Sequence, residues 1–266
     1  MIWNELRRAC AILQTVFAEH HSCVVIGILA LNVHIFRGSI CLQEKGATMT
    51  RIGTSLIESL QGSFEFGTAF VTPFLRPKRS RWGATDEEIE NAYPGDELIP
   101  EPKWSANHAI SIHATPNHVW PWIAQIGQGR GGFYSYQKLE NLTGCEIENT
   151  SHILEKHQHI RVGDPIKLHV EAPPMTVAIV EKPTALVLYG NPAEADDSAV
   201  LSTSWAFLLL GQPDGASRLL SRTRYHHNDD FLSKLAGGQL LVEPISFVME
   251  PKMLTVIKAL VESSQG

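Results

Sequence analysis

Residues 127–144 read GQGRGGFYSYQKLENLTG, a glycine-rich stretch with one early cation, Arg130, running into Phe133, Tyr134 and Tyr136. Glycines beside an arginine suit an anion, more so with a helix starting at Phe133. A dinucleotide fingerprint, however, needs a strand ahead of the glycines and a helix behind them. A helical pattern precedes them here, so the stretch reads as a tight interhelical bend, with anion contact through Arg130 a minor addition. Among the aromatics, Tyr134 is the one favoured to carry a hydroxyl to a cavity mouth, where an amphipathic ring suits a partly polar ligand. Ordinary core and rim packing explains the three about equally well.

General acid–base work, or an anchor for a polar group, falls to Arg222 or Arg224, Tyr225, Glu243, Glu250 and Arg130. Glu250 stands between Met249 and Pro251, where burial would raise its pKa, but a water-facing carboxylate is the favoured reading. His152, His157 and His159 do not follow a zinc spacing, and no paired cysteines lie nearby. His226 and His227 are adjacent on a strand pattern, so their side chains point oppositely. No metal site and no cofactor is assigned. A nucleophile elbow is absent, Ser202 and Ser204 fall in plain alternation, and Cys145 has no evident activating partner.

The elements that must position these residues begin with a strand over 107–114, where His108, Ile110 and Ile112 alternate with Ala109, Ser111 and His113. Thr115-Pro116 then opens a helix carrying Val119, Trp120, Ile123 and Ile126 and ending at Gly127. A second helix is expected over 133–142. Strands follow over 166–170, 175–180, 185–189, 201–210 and 217–225, with turn residues between them. A closing helix over 240–261 has one apolar face, with Pro244 and Pro251 predicting a late start or a kink. Strands followed by a segregated helix give an α+β class: a curved antiparallel sheet wrapped around a long C-terminal helix, with two short helices after the first strand.

The chain has 266 residues and a formal net charge of −6, which lacks the basic footprint of a nucleic-acid binder. Residues 1–48 hold four basic and three acidic side chains and three of the four cysteines, leaving 18 basic against 25 acidic beyond them. The apolar run 23–31 lies in a charge-free segment, 20–36, that is short and polar for a spanning helix. An anchor or signal, a packed helix, and a non-native extension ahead of Met49 remain as readings of 1–48. The expected organisation is that N-terminal extension, a helical segment and Pro-rich arm over 49–104, and one domain over 105–266. Thr85 followed by Asp86, Glu87 and Glu88 predicts a capped helix start within the arm. A cytoplasmic location is expected, with membrane contact through residues 20–36 as the alternative.

The strings RWGAT (81–85), PGDELIP (94–100), VWPW (119–122), GQGRGGFYSY (127–136) and FVMEPKML (247–254) resemble bacterial members of the START-like, or polyketide-cyclase-like (SRPBCC), superfamily. The resemblance spans about 76–262 and implies the helix-grip fold with a cavity between sheet and helix. That superfamily holds lipid carriers, receptors, aromatic cyclases and ligand-free regulators, so the fold names no single activity. The resemblance implies binding of a hydrophobic or amphipathic small molecule, lipid- or polyketide-like. The alternatives are an aromatase/cyclase-type enzyme using the same cavity, or an interaction module whose cavity is filled. Expected wall residues are Trp120, Tyr134, Trp205, Phe207, Phe247 and Met249, with Arg222 and Glu250 as polar anchors and Arg130 at the bend.

Overall fold

The computed structural model describes Gly62, Glu65, Thr68 and residues 73–142, 145–170, 172–191, 201–229 and 242–264. The apolar run 23–31 and all readings of 1–48 lie outside these residues. Six antiparallel strands form one sheet: β1 (Trp104–Ile112), β2 (Pro165–Ile166), β3 (Met175–Glu181), β4 (Ala185–Gly190), β5 (Leu201–Gly211) and β6 (Ser217–His227). Their order is β1-β6-β5-β4-β3-β2. Two short segments, α1 (Arg76–Arg79) and α2 (Asp86–Glu90), precede the sheet; α3 (Pro116–Ala124) and α4 (Gln137–Leu142) follow β1; α5 (Val242–Ser263) closes the described chain. This is the helix-grip layout expected from the sequence.

Strand alternation divides the sheet into two apolar faces. On the inner face, Ile112, Leu186, Leu188, Phe207, Leu209 and Leu219 join one core with Trp120 and Ile123 of α3 and Met253, Leu254 and Ile257 of α5. The buried residues of α5 include Glu243, Phe247, Glu250, Leu254, Ile257 and Val261, a three-to-four-residue rhythm that keeps one stripe against the sheet. On the outer face, Ala109, Val187, Ala206, Leu208 and Leu220 pack against Ala84, Tyr93 and Leu98 of the arm. Gly95 of the arm, at φ +94°, lies so close to the sheet that a Cβ there would sit 2.6 Å from Val187 Cγ1.

The arm also covers the β1 edge. Asn107 N–H donates to Ser80 O at 2.6 Å and Ala109 N–H to Trp82 O at 2.9 Å. A partnered edge strand offers no template for pairing with another chain. Thr85 caps α2, as its sequence predicts, and the cap proves to be a reciprocal capping box with Glu88, which in turn pairs with Arg218 of β6.

Several boundaries differ from the sequence expectation. β1 starts earlier, at Trp104, because its first residues pair with β6 from Tyr225 onward. The strand expected over 166–170 reduces to Pro165–Ile166. The helix expected from Phe133 begins only at Gln137, since Tyr134 takes φ +56°, a left-handed backbone that no helix continues through. Asn149 holds that bend: its Oδ1 accepts from the N–H groups of Phe133 (3.0 Å) and Tyr134 (2.8 Å). In α5, Pro244 falls in the first turn, where its missing N–H has no helical partner to lose, and the helix runs on past Pro251.

Candidate functional site

Beneath α5, near the start of the sheet, lies a buried polar cluster. Glu250 projects from α5 onto the inner face, and its carboxylate collects four partners. Thr223 Oγ1 donates to Oε1 at 2.9 Å and Ser221 Oγ to Oε2 at 2.7 Å. Ser246, one helical turn earlier, donates to Oε1, and His108 Nδ1 faces Oε2 at 3.0 Å. Burial opposes the charge on Glu250, yet His108 and these hydroxyls outweigh it and hold the carboxyl below its usual range. The carboxylate expected to face water is therefore buried. Its helix position is shared with Phe247 and Leu254, and the stripe they form turns inward.

The cluster continues sideways into an aromatic ladder. Trp205 Nε1–H donates to Ser221 Oγ at 2.8 Å, which fixes the indole on the inner face of β5. Trp205 lies against Phe207 at 4.7 Å between ring centres and against Phe133 at 6.3 Å. Phe207 is buried, whereas Trp205 and Phe133 are only half-buried. Met249 of α5, also half-buried, has its sulfur 3.5 Å from Ser135 Oγ in the bend beside Phe133. A second aromatic group closes the other flank: Trp104 stacks on Tyr225 at 4.1 Å, and Phe247 packs with them and stands edge-on to His108. Burial and the neighbouring Glu250 carboxylate push the Tyr225 phenol far above its ordinary pKa.

The structure separates the residues expected to line a cavity. Trp120, Tyr134 and Phe207 have one per cent or less of their surface exposed and are packed into one core. Tyr134 accepts a hydrogen bond from Gln125 Nε2 at 2.7 Å, and burial pushes its phenol up to about 12. Arg130 donates to the carbonyls of Ala124, Ile126 and His157, so it ties the bend together rather than facing an anion. Arg222 points to the outer face, as do all even-numbered residues of β6. There it grips Asp96 of the arm at 2.8 Å and Asn107 Oδ1 at 3.0 Å, with its guanidinium over the Tyr93 ring, and it cannot anchor a ligand inside. Glu243 pairs with Arg76 of the arm, and burial, only partly offset by that arginine, raises its pKa. Trp205 is linked to Glu250 through Ser221, and Phe247 through His108, whereas Met249 packs with Tyr136 and Val248.

His108, Ser221 and Thr223 were not singled out from the sequence. A histidine sharing its face with Ile110 and Ile112 was the available signal, because a polar group in an apolar stripe demands a partner. Among the described residues no group of three His, Cys, Asp or Glu side chains is arranged to hold a metal, and no helix is long and apolar enough to cross a membrane.

No protein-family model matches the chain, and no curated protein matches it. Solved structures with a similar course of the chain include protein MLL2253 of Mesorhizobium loti, at 16% identity and a TM-score of 0.38, covering 60% of this chain and 98% of that one. A hypothetical protein of Helicobacter pylori gives 14% identity and a TM-score of 0.41, covering 64% and 95%. The truncated norcoclaurine synthase of Thalictrum flavum gives 14% and 0.36, covering 59% and 92%.

Proposed function

We propose that the protein binds a hydrophobic or amphipathic small molecule on the inner face of the sheet, stacked against Trp205 and Phe133 and covered by Met249. The observation that carries this reading is Trp205: a large ring fixed by its own hydrogen bond on the core face, yet half open. An aromatic face held in place and only partly covered favours flat apolar groups. A ligand burying about 200 Å² there gains about 5 kcal/mol before ordering costs. The ladder offers little hydrogen bonding, since the indole N–H already belongs to Ser221. Recognition is therefore by shape and stacking.

The cyclase alternative has less support. Its best acid–base group, Glu250, is fully occupied by four donors and held ionised, so it has no free lone pair directed at a substrate. The test is a titration of the folded protein with a panel of flat apolar and lipid-like compounds, read by calorimetry. Saturable binding weakened at least tenfold by Trp205→Ala and by Phe133→Ala supports the proposal. Binding that both variants leave intact, or no binding by any member, refutes it.

A further inference from the structure

His108 has no exposed surface, and each of its ring nitrogens faces an oxygen: Nε2 lies 3.0 Å from the backbone carbonyl of Arg79, and Nδ1 lies 3.0 Å from Glu250 Oε2. A peptide carbonyl has no proton to give, so Nε2 must be the donor on that side. The Glu250 carboxylate already accepts three hydroxyl protons, so the contact with Nδ1 also needs a proton between nitrogen and oxygen. With that proton, the pair holds one more than a neutral imidazole beside a free carboxylate. Without it, one of the two contacts sets lone pair against lone pair inside the protein, where unpaired polar groups are costly.

We infer that this shared proton latches the arm: His108 acts as a clamp that fastens residues 76–83 across the seam between β1 and α5, and withdrawing the proton releases them. The arm reaches the seam at three places. Arg79 O meets His108, Ser80 O and Trp82 O accept from β1, and Arg76 pairs with Glu243 in the first turn of α5. Gly83, at φ +70°, forms an isolated bridge to His108 itself and has no room for a Cβ, which would collide with Ala109 O. His108 thus joins three separate pieces of chain through one side chain.

The charged and titratable groups around the clamp are few. From α5 come Glu250 and, on the same stripe, Glu243, which is neutralised by Arg76. From β6 comes Tyr225, whose phenol is pushed far up and stays protonated. From the arm come Arg76 and Arg79, the latter with its guanidinium 3.5 Å from Thr68 Oγ1. Arg222 and Asp96 lie across the sheet on the outer face. Among these groups, loss of a proton from the His108–Glu250 pair leaves the ring one N–H for two acceptors; the charged carboxylate holds it more strongly than a peptide carbonyl does, so the contact given up is the one to Arg79 O. Release bares the Asn107 and Ala109 edge of β1 and opens the polar end of the inner face beside Phe247. The inference does not depend on the ligand proposal.

Hydrogen exchange of the Asn107 and Ala109 amides, corrected for intrinsic rates and compared with amides of β1 bonded to β6, tests the latch between about pH 6.5 and about pH 9. The expected result is selective loss of protection of these two amides as pH rises, with the β6-bonded amides of β1 unchanged. In His108→Gln, whose amide cannot donate in both directions, protection of these two amides is low and independent of pH. Protection that stays level in the native protein, or the same pH dependence in His108→Gln, overturns the inference. Should that variant fail to fold, the nitrogen NMR shifts of the native His108 ring and the Glu250 carboxyl signal decide it. A proton shared by the pair at neutral pH is expected; a singly protonated ring beside an ionised Glu250 refutes the latch.

Discussion

Replacing Glu250 by Ala removes the one acceptor that serves four buried donors. The three hydroxyls can turn to other acceptors or to water entering the vacated space, which limits their loss. His108 has no such freedom, because its ring is clamped between Arg79 O and the former carboxylate. Breaking one side of a buried charge pair costs about 3–5 kcal/mol, and each hydroxyl left unpaired adds up to about 1–3 kcal/mol. A total of about 4–6 kcal/mol is expected, set against about 5–15 kcal/mol for a whole domain. Urea unfolding followed by circular dichroism reads the change as a shift in midpoint at constant slope. The double variant His108→Leu with Glu250→Met replaces both partners by apolar groups and recovers at least half of the loss, since a buried pair holds little net stability over a packed apolar pair. A loss below about 1 kcal/mol in Glu250→Ala would refute the cluster as described, because four buried contacts cannot vanish at that cost. A double variant no better than the single one would refute the pairing with His108.

Other parts of the account are tested separately. Asp96→Ala leaves Arg222 and Arg224 without their shared carboxylate and destabilises by about 1.5–3 kcal/mol in urea unfolding, with loss of arm protection from trypsin. Gly83→Ala forces a Cβ into Ala109 O at a left-handed backbone position, and limited proteolysis then cuts within 76–83 well before the sheet. Asn149→Ala removes the acceptor for two N–H groups of the bend and lowers Tm by several degrees, more than Asn149→Asp, which keeps the acceptor. Burial pushes Glu140 up to about 7, so the folded state binds its proton more tightly than the unfolded chain does. That contribution is fully present below about pH 4.5 and is lost as pH rises through about 7, and Glu140→Gln flattens the stability profile in that window.

The fold was largely readable because its periods are strong. β5 and β6 alternate over long stretches, α5 repeats its apolar stripe, and the capping box at Thr85 is a local signal with a local outcome. What stayed hidden was which face of the sheet meets α5. Normally a polar outer face settles that question, but here the arm buries the outer face as well, with Ala206, Leu208 and Leu220 as apolar as Phe207, Leu209 and Leu219. Arg222 was therefore assignable to either side, although its parity with Arg218 and Arg224 placed all three together. His108 and Glu250 are 142 residues apart, and no local pattern announces their contact. Tyr134 was read into a helix because its left-handed backbone depends on Asn149, fifteen residues downstream.

The central claim is that the half-open face of Trp205 is a ligand site. Native mass spectrometry of the protein purified from its source, repeated on Trp205→Ala prepared identically, tests it most directly. The account predicts a bound apolar or amphipathic compound, released on denaturation and absent or strongly depleted in the variant. A native protein that carries nothing and takes up no member of the compound panel, or a compound retained equally by the variant, would contradict it.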